Sequence, residues 1–140
     1  MLQPRKSKYR KSFVGKIRGK AHRGTDLVFG EFGLCAQTSG RVSAREIEAA
    51  RKKITFVTKR VGKYWVKIFP HKPVTKKPIG VKMGSGKGAI DHYVAIVKSG
   101  MILFELGGVT EEVAKLAFHK AGAKLSVRTS FVNKAINEAK

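Results

Sequence analysis

The chain has 140 residues, with 30 Lys and Arg against 9 Asp and Glu, giving a formal net charge of +21. That length suits one domain able to bury roughly two-thirds of its surface, and 42% hydrophobic residues argue against wholesale disorder. A single cysteine, Cys35, excludes an internal disulfide and fits a reducing compartment; no apolar run approaches the ~18 residues of a membrane span, and the basic start lacks a signal peptide's apolar stretch.

Residues 1–25 are basic and dotted with glycine, and Tyr9, Phe13 and Ile17 are too sparse for a sustained apolar face. They read as an extended arm that orders on its partner. Leu27–Ala36, apolar on both parities, reads as one buried strand or a pair of short ones. Ser43-Ala-Arg-Glu46 is a capping-box pattern, so a helix is predicted from about Ala44 to Arg60, stopping near Gly62. Ile47, Ala50, Ile54, Val57 and Val61 share its packing face; Arg45, Lys52 and Lys59 line the opposite side, flanked by Lys53 and Arg60. Phe56 falls on the cationic side, where a second packing contact is favoured over stacking on a base.

Tyr64–Phe69 reads as a strand, Trp65, Lys67 and Phe69 on one face and Tyr64, Val66 and Ile68 on the other. Pro70, Pro73 and Pro78 then break regular structure in a region studded by Lys72, Lys76, Lys77 and Lys82. Ile79–Met83 reads as a short strand leading into Gly84-Ser-Gly-Lys-Gly88, and Tyr93–Val97 with Met101–Leu106 as a strand pair turning at Ser99-Gly100. Thr110 caps a second helix to about Ala123, with Val113, Leu116, Ala117, Phe118 and Ala121 as its apolar arc. Ser126–Val132 is a last strand. The domain organisation is an arm over 1–25, one α+β domain over 26–134 and a polar tail over 135–140.

The charge is segregated. Residues 1–25 hold nine Lys and Arg and no acid, and residues 49–90 hold twelve more and no acid. Together these equal the whole net charge; the remainder carries nine cations and nine carboxylates. Two cationic segments on a neutral scaffold point to a polyanionic partner rather than to solubility.

Catalytic readings fare poorly. A Walker loop needs glycine where Val81 stands and Ser or Thr where Gly88 stands. Ala89 could complete a dinucleotide fingerprint, but neither the helix pattern nor the acidic residue about 20 positions on that should follow it is convincing. The loop can instead bring backbone N–H groups close to a phosphate chain, with Lys82 and Lys87 adding charge, or be a flexible hairpin tip. His22, His71, His92 and His119 lack metal-ligand spacing, so no metal and no cofactor is expected. Cys35 reads as a buried small hydrophobe.

The motifs also resemble a known family. Met1-Leu-Gln-Pro-Arg5-Lys, Tyr9-Arg-Lys11, Gly24-Thr-Asp26, Ile47-Glu-Ala-Ala-Arg51, Lys63-Tyr-Trp-Val-Lys-Ile-Phe-Pro70, Lys72-Pro-Val-Thr75, Met83-Gly-Ser-Gly-Lys-Gly88 and Arg128-Thr-Ser-Phe-Val132 are similar to the bacterial-type large-subunit ribosomal protein L-sixteen family, in order along nearly the whole chain. The resemblance implies an α/β-hammerhead-like mixed sheet with two main helices, the basic arm and the glycine loop. It implies a non-enzymatic constituent of the large subunit that joins late in assembly and helps organise the aminoacyl-tRNA site and the peptidyl-transferase surroundings. Its partners would be large-subunit rRNA, tRNA in the aminoacyl and peptidyl sites and other large-subunit proteins, with no membrane and no homo-oligomer. The location would be cytoplasmic and ribosome-bound in a bacterium, or alternatively an organelle ribosome.

The rRNA contacts would fall on Arg5, Lys6, Lys8, Arg10, Lys11, Lys16, Arg18, Arg45, Lys52, Lys59, Lys76 and Lys77. The tRNA-proximal residues would be Lys82, Met83, Gly84, Ser85, Gly86, Lys87 and Gly88. Three positions depart from the family: Lys82 stands where many members have an Arg that some bacteria hydroxylate, Ser85 where Lys is frequent, and Cys35 in place of a common Lys. A nucleoid-type DNA-binding protein and a phosphate-transferring enzyme are the rival readings.

Overall fold

Ser43 closes one strand and opens the first helix. In the computed structural model, which describes residues 1–135, its hydroxyl accepts the N–H of Glu46 at 3.2 Å, an N-cap on α1 (Ala44–Thr58). The capping box is only half formed. Ser43 is also the last residue of β2 (Gly40–Ser43), opposite Val94, and the Glu46 carboxylate instead accepts the N–H and hydroxyl of Ser126 at 3.2 and 3.0 Å.

Ile47, Ala50 and Ile54 bury the predicted face of α1, and Val57 packs partly against it. The helix stops at Thr58, two residues early, because Lys59 and Arg60 take left-handed φ values of 55° and 63°. Val61 therefore leaves the apolar stripe and is exposed. Gly62, at φ +78°, completes the reversal where an added Cβ would fall on the Gly107 carbonyl oxygen.

The second helix, α2 (Glu111–Gly122), is capped by the Thr110 hydroxyl on Val113 N–H at 3.4 Å. It buries Ala114, Ala117, Phe118 and Ala121, while Leu116 is exposed. The two helices pack together, and the alanines of this stripe and Ala50 let their axes approach closely.

Among the described residues seven strands form two sheets. One has the order β3 (Lys63–Val66), β6 (Ile102–Gly107), β1 (Phe32–Ala36), β7 (Thr129–Asn133); the other has β2, β5 (Ile90–Val97), β4 (Lys72–Thr75). Every strand pair is antiparallel, so the expected mixed sheet is replaced by two antiparallel ones. The class is α+β in a single domain. No helix among the described residues is long and apolar enough to cross a membrane.

Several predicted strands change. Leu27–Glu31 is not strand, and only Phe32–Ala36 pairs; the N–H groups of Val28 and Phe29 are taken by a side chain described below rather than by a neighbouring strand, and both residues are exposed. Pro73 lies inside β4 rather than breaking it, which an edge strand tolerates because the ring removes only one donor. Ile79–Met83 forms no strand: Val81 N–H turns back onto Pro78 O at 3.2 Å, Gly80 has φ +91°, and Ile79 and Met83 project fully into solvent.

The predicted β5–β6 hairpin is also corrected. The two strands belong to different sheets, and the chain crosses between them at residues 98–101. There Gly100 N–H donates to Ala36 O at 2.7 Å and Ala36 N–H to Met101 O at 2.8 Å, holding the corner to β1 instead of continuing a ladder. The strand expected over Ser126–Val132 is Thr129–Asn133, and the tail expected over 135–140 lies, apart from Ala135, outside the described residues.

All six residues of β6 are buried, Glu105 included. Alternation turns Phe104 and Leu106 to the opposite face from Glu105, whose register partners are Gly33 and Trp65. Across this face run residues 27–30, with Phe29 stacked on Trp65 at 5.8 Å between ring centroids. Glu105 Oε1 accepts the N–H groups of Val28, Phe29 and Gly30 at 2.9, 2.9 and 3.0 Å, and Lys67 Nζ approaches Oε2 at 3.4 Å. Burial raises the Glu105 pKa, but the three N–H donors and Lys67 outweigh it and hold the carboxyl below its ordinary value.

Candidate nucleic-acid interface

β4 and β5 continue past their sheet as the neck of a hairpin, closed by Lys76 N–H on Ala89 O at 3.1 Å. Gly88 sits tightly against this neck, where an added Cβ would lie 3.2 Å from Lys76 O. Beyond it, residues 78–87 are all exposed, including Lys82, Met83, Gly84, Ser85, Gly86 and Lys87. Gly84, Ser85 and Gly86 take φ values of 112°, 61° and 91°, and nothing lies within 4 Å of a Cβ placed on Gly84 or Gly86. The tip is therefore open on its outer side to a partner's backbone. Lys77 Nζ reaches back to Gly84 O at 2.6 Å and braces it.

Residues 1–25 contain no helix and no named strand; one bridge joins Lys20 to Ser99. The segment is fixed at its inner end, where Ala21 N–H donates to Ser99 O at 2.9 Å and Gly24 O accepts Ile102 N–H at 2.7 Å. Its middle lies against the hairpin. Lys11 Nζ donates to Lys87 O at 3.2 Å, Lys87 Nζ donates to Ser12 O, and the Lys87 ammonium stands 5.9 Å from the Phe13 ring centroid. Arg41 Nη2 donates to Val14 O and Gly15 O, both at 3.1 Å, and Lys72 Nζ also reaches Val14 O. At the outer end, Met1–Gln3 line a cleft with Arg45 and Asp91–Tyr93.

Lys11, Lys72 and Lys87 are thus gathered with Arg41 around one arm segment, and among the described residues the side-chain hydrogen bonds of these four and of Lys77 go to backbone carbonyls. Arg5, Lys6, Lys8, Arg10, Lys16 and Arg18 are exposed along the arm, and Lys76 is exposed at the neck. Arg45, Lys52 and Lys59 are exposed on or at the end of α1, and the side chains of Lys52 and Lys59 make no hydrogen bond to the arm–hairpin cluster among the described residues.

Two cations were not legible as site residues. Arg41 lies in the charge-balanced part of the sequence, and its only sequence signal is its place opposite Val42 in strand alternation. Lys72 was visible as charge but not as an arm contact.

Phe56 corrects a further expectation. It lies about 200° round the helix from Ile54, makes no second packing contact and is 72% exposed, with Lys53 Nζ 5.0 Å from its ring centroid.

The ion pairs lie elsewhere. Among the described residues they join Arg51 to Glu48, Lys67 to Glu105, His92 to Asp91 and Lys115 to Glu111. Bonding to Arg51 lowers the Glu48 pKa, and bonding to His92 lowers that of Asp91. None of the twelve cations expected to meet RNA has a carboxylate partner among the described residues. Burial pushes the Cys35 thiol up, away from the thiolate a nucleophile needs. The described residues contain no cluster of three or more His, Cys, Asp or Glu that could hold a metal.

Comparison with known proteins decides the family. The family model described as ribosomal protein L16p/L10e matches residues 4–132. The chain belongs to the L16p/L10e family of ribosomal proteins. It is 54% identical over 134 residues to the large ribosomal subunit protein uL16 of Rhizobium etli (strain CIAT 652), covering 96% of this chain and 98% of that one. The uL16 protein of Agrobacterium fabrum is equally similar over the same span, and that of Buchnera aphidicola is 54% identical over 136 residues, covering 97% and 99%. As an L16p/L10e member this is a ribosomal protein of the large subunit and not an enzyme. The match to the L16p/L10e model spans most of the arm, α1 and the hairpin alike.

Proposed function

We propose that this chain binds large-subunit rRNA through the arm, the exposed side of α1 and the β4–β5 hairpin, and that the hairpin tip faces tRNA in the aminoacyl and peptidyl sites. The observation that carries this reading is the unpaired state of the twelve expected RNA-binding cations among the described residues. Cations left without carboxylates release counterions when phosphates replace them, which supplies affinity. Their placement on an arm, a helix and a loop suits the irregular shape of folded RNA better than a regular DNA groove. The protein's part is positional: it holds rRNA and the tRNA path in place late in subunit assembly, beside other large-subunit proteins, in the cytoplasm of a bacterium.

The test is sedimentation with large subunits over a salt series, together with filter binding to rRNA fragments and random duplex DNA. The protein should stay with the subunit until high salt and prefer rRNA. Each contacting cation removed should lower the log–log salt slope by about 0.7–0.9. Equal affinity for random DNA would instead favour a nucleoid-type role.

A further inference from the structure

An isolated exposed aromatic is ordinary on a protein surface. Phe56 is not isolated in character. Residues three and four positions before it on the helix are its surface neighbours, and for Phe56 these are Lys52 and Lys53, while Lys59 and Arg60 follow directly after the helix end. All four are cations. The chain turns left-handed at Lys59 and Arg60 immediately after the helix, and both are exposed. The two carboxylates of α1 are engaged elsewhere, Glu46 with Ser126 and Glu48 with Arg51. The ring is 72% exposed, and one ammonium, that of Lys53, already stands 5.0 Å from its centroid.

We propose that Phe56 is a stacking platform for an unpaired RNA base, with Lys52 and Lys53 holding the adjoining phosphates and Lys59 and Arg60 adding charge at the helix end. A flat π-face framed by cations, with the nearby carboxylates occupied, is complementary to a nucleotide on both counts: the ring meets the base and the cations meet the backbone. A base stacked inside a duplex presents no free face, so the partner is a looped or single strand. This rests on the RNA-binding reading above and adds a residue and a ligand conformation to it.

The test compares the full chain with Phe56→Ala, Phe56→Leu and Phe56→Trp, binding a short oligo(A) strand and a blunt RNA duplex over a salt series. Phe56→Ala and Phe56→Leu should each weaken oligo(A) binding about tenfold, leave duplex binding unchanged and keep the salt slope. Phe56→Trp should retain affinity, and its indole fluorescence should be quenched by oligo(A) beyond any change seen for Trp65 in the parent chain. Lys52→Ala should behave differently, lowering the salt slope by about 0.7. Parent-level affinity in Phe56→Leu, equal weakening of strand and duplex, or no effect of Phe56→Ala while the parent binds RNA would overturn the stacking role. The last result would point to a protein neighbour at this face. Failure of the parent chain to bind either RNA would remove the RNA-binding reading itself.

Discussion

Glu105 Oε1 accepts the amide N–H of Gly30 at 3.0 Å, across a sequence separation of 75 residues and in a fully buried position. The same oxygen takes the two preceding N–H groups, so one carboxylate replaces the strand ladder that Val28–Gly30 would otherwise need. Lys67 balances the charge and also stands 4.4 Å from the Phe29 ring centroid.

Removing that carboxylate should be costly. Glu105→Ala leaves three N–H groups and Lys67 without their partner, and a loss of about 3–5 kcal/mol is expected in denaturant unfolding. Glu105→Gln keeps an acceptor and should lose less. Because the folded-state pKa of Glu105 is depressed, its stabilisation is complete above its ordinary value of 4.5 and is lost as pH falls through the lower folded-state value. Unfolding free energies measured downward from pH 6 should therefore decline less steeply in Glu105→Gln than in the parent. Parallel declines would show that the carboxylate is not held low.

Glu46 and Ser126 join the start of α1 to the segment following α2. Glu46→Ala and Ser126→Ala should each cost about 1 kcal/mol, and the double variant should cost less than their sum because they share the bond. Strict additivity in a double-mutant cycle would deny the coupling. Ser43→Ala, which removes the cap itself, should cost about 1 kcal/mol independently.

Gly62→Ala combines a positive φ with a collision against the Gly107 carbonyl. A destabilisation of about 2–4 kcal/mol is expected. Gly86→Ala has a similar φ but open space around it, so it should cost far less; the difference in melting temperature between the two variants separates collision from conformation.

Lys87 links hairpin and arm through the Ser12 carbonyl. Lys87→Ala should leave the melting temperature nearly unchanged yet speed tryptic cleavage after Lys8, Arg10 and Lys11, because the arm loses a surface anchor. Unchanged cleavage rates would mean that Arg41, Lys72 and the Lys11 bond to the residue-87 carbonyl hold the arm without the Lys87 side chain. Lys87→Glu should also slow tRNA binding or peptide transfer more than it lowers thermal stability.

Local signals were legible where local physics decides them. The Ser43 and Thr110 caps and the Ile47, Ala50 and Ile54 stripe depend on residues within a turn or two of each other. The separation of charge, and with it the expectation of a polyanion, also follows from composition alone. The β5–β6 corner could not be read this way, because two apolar runs around Ser99-Gly100 look alike whether they pair with each other or with strands far away.

The sequence by itself determined that two cationic segments sit on a neutral α+β scaffold, since charge needs no fold to be counted and periodicity needs only a helix or a strand. Tertiary structure alone decided that the buried Glu105 organises residues 28–30, that Arg41 and Lys72 hold the arm against the three-stranded sheet, and that Phe56 faces solvent beside Lys53. Each of these depends on which distant backbone group or side chain comes within hydrogen-bond or packing distance, and no local spacing encodes that.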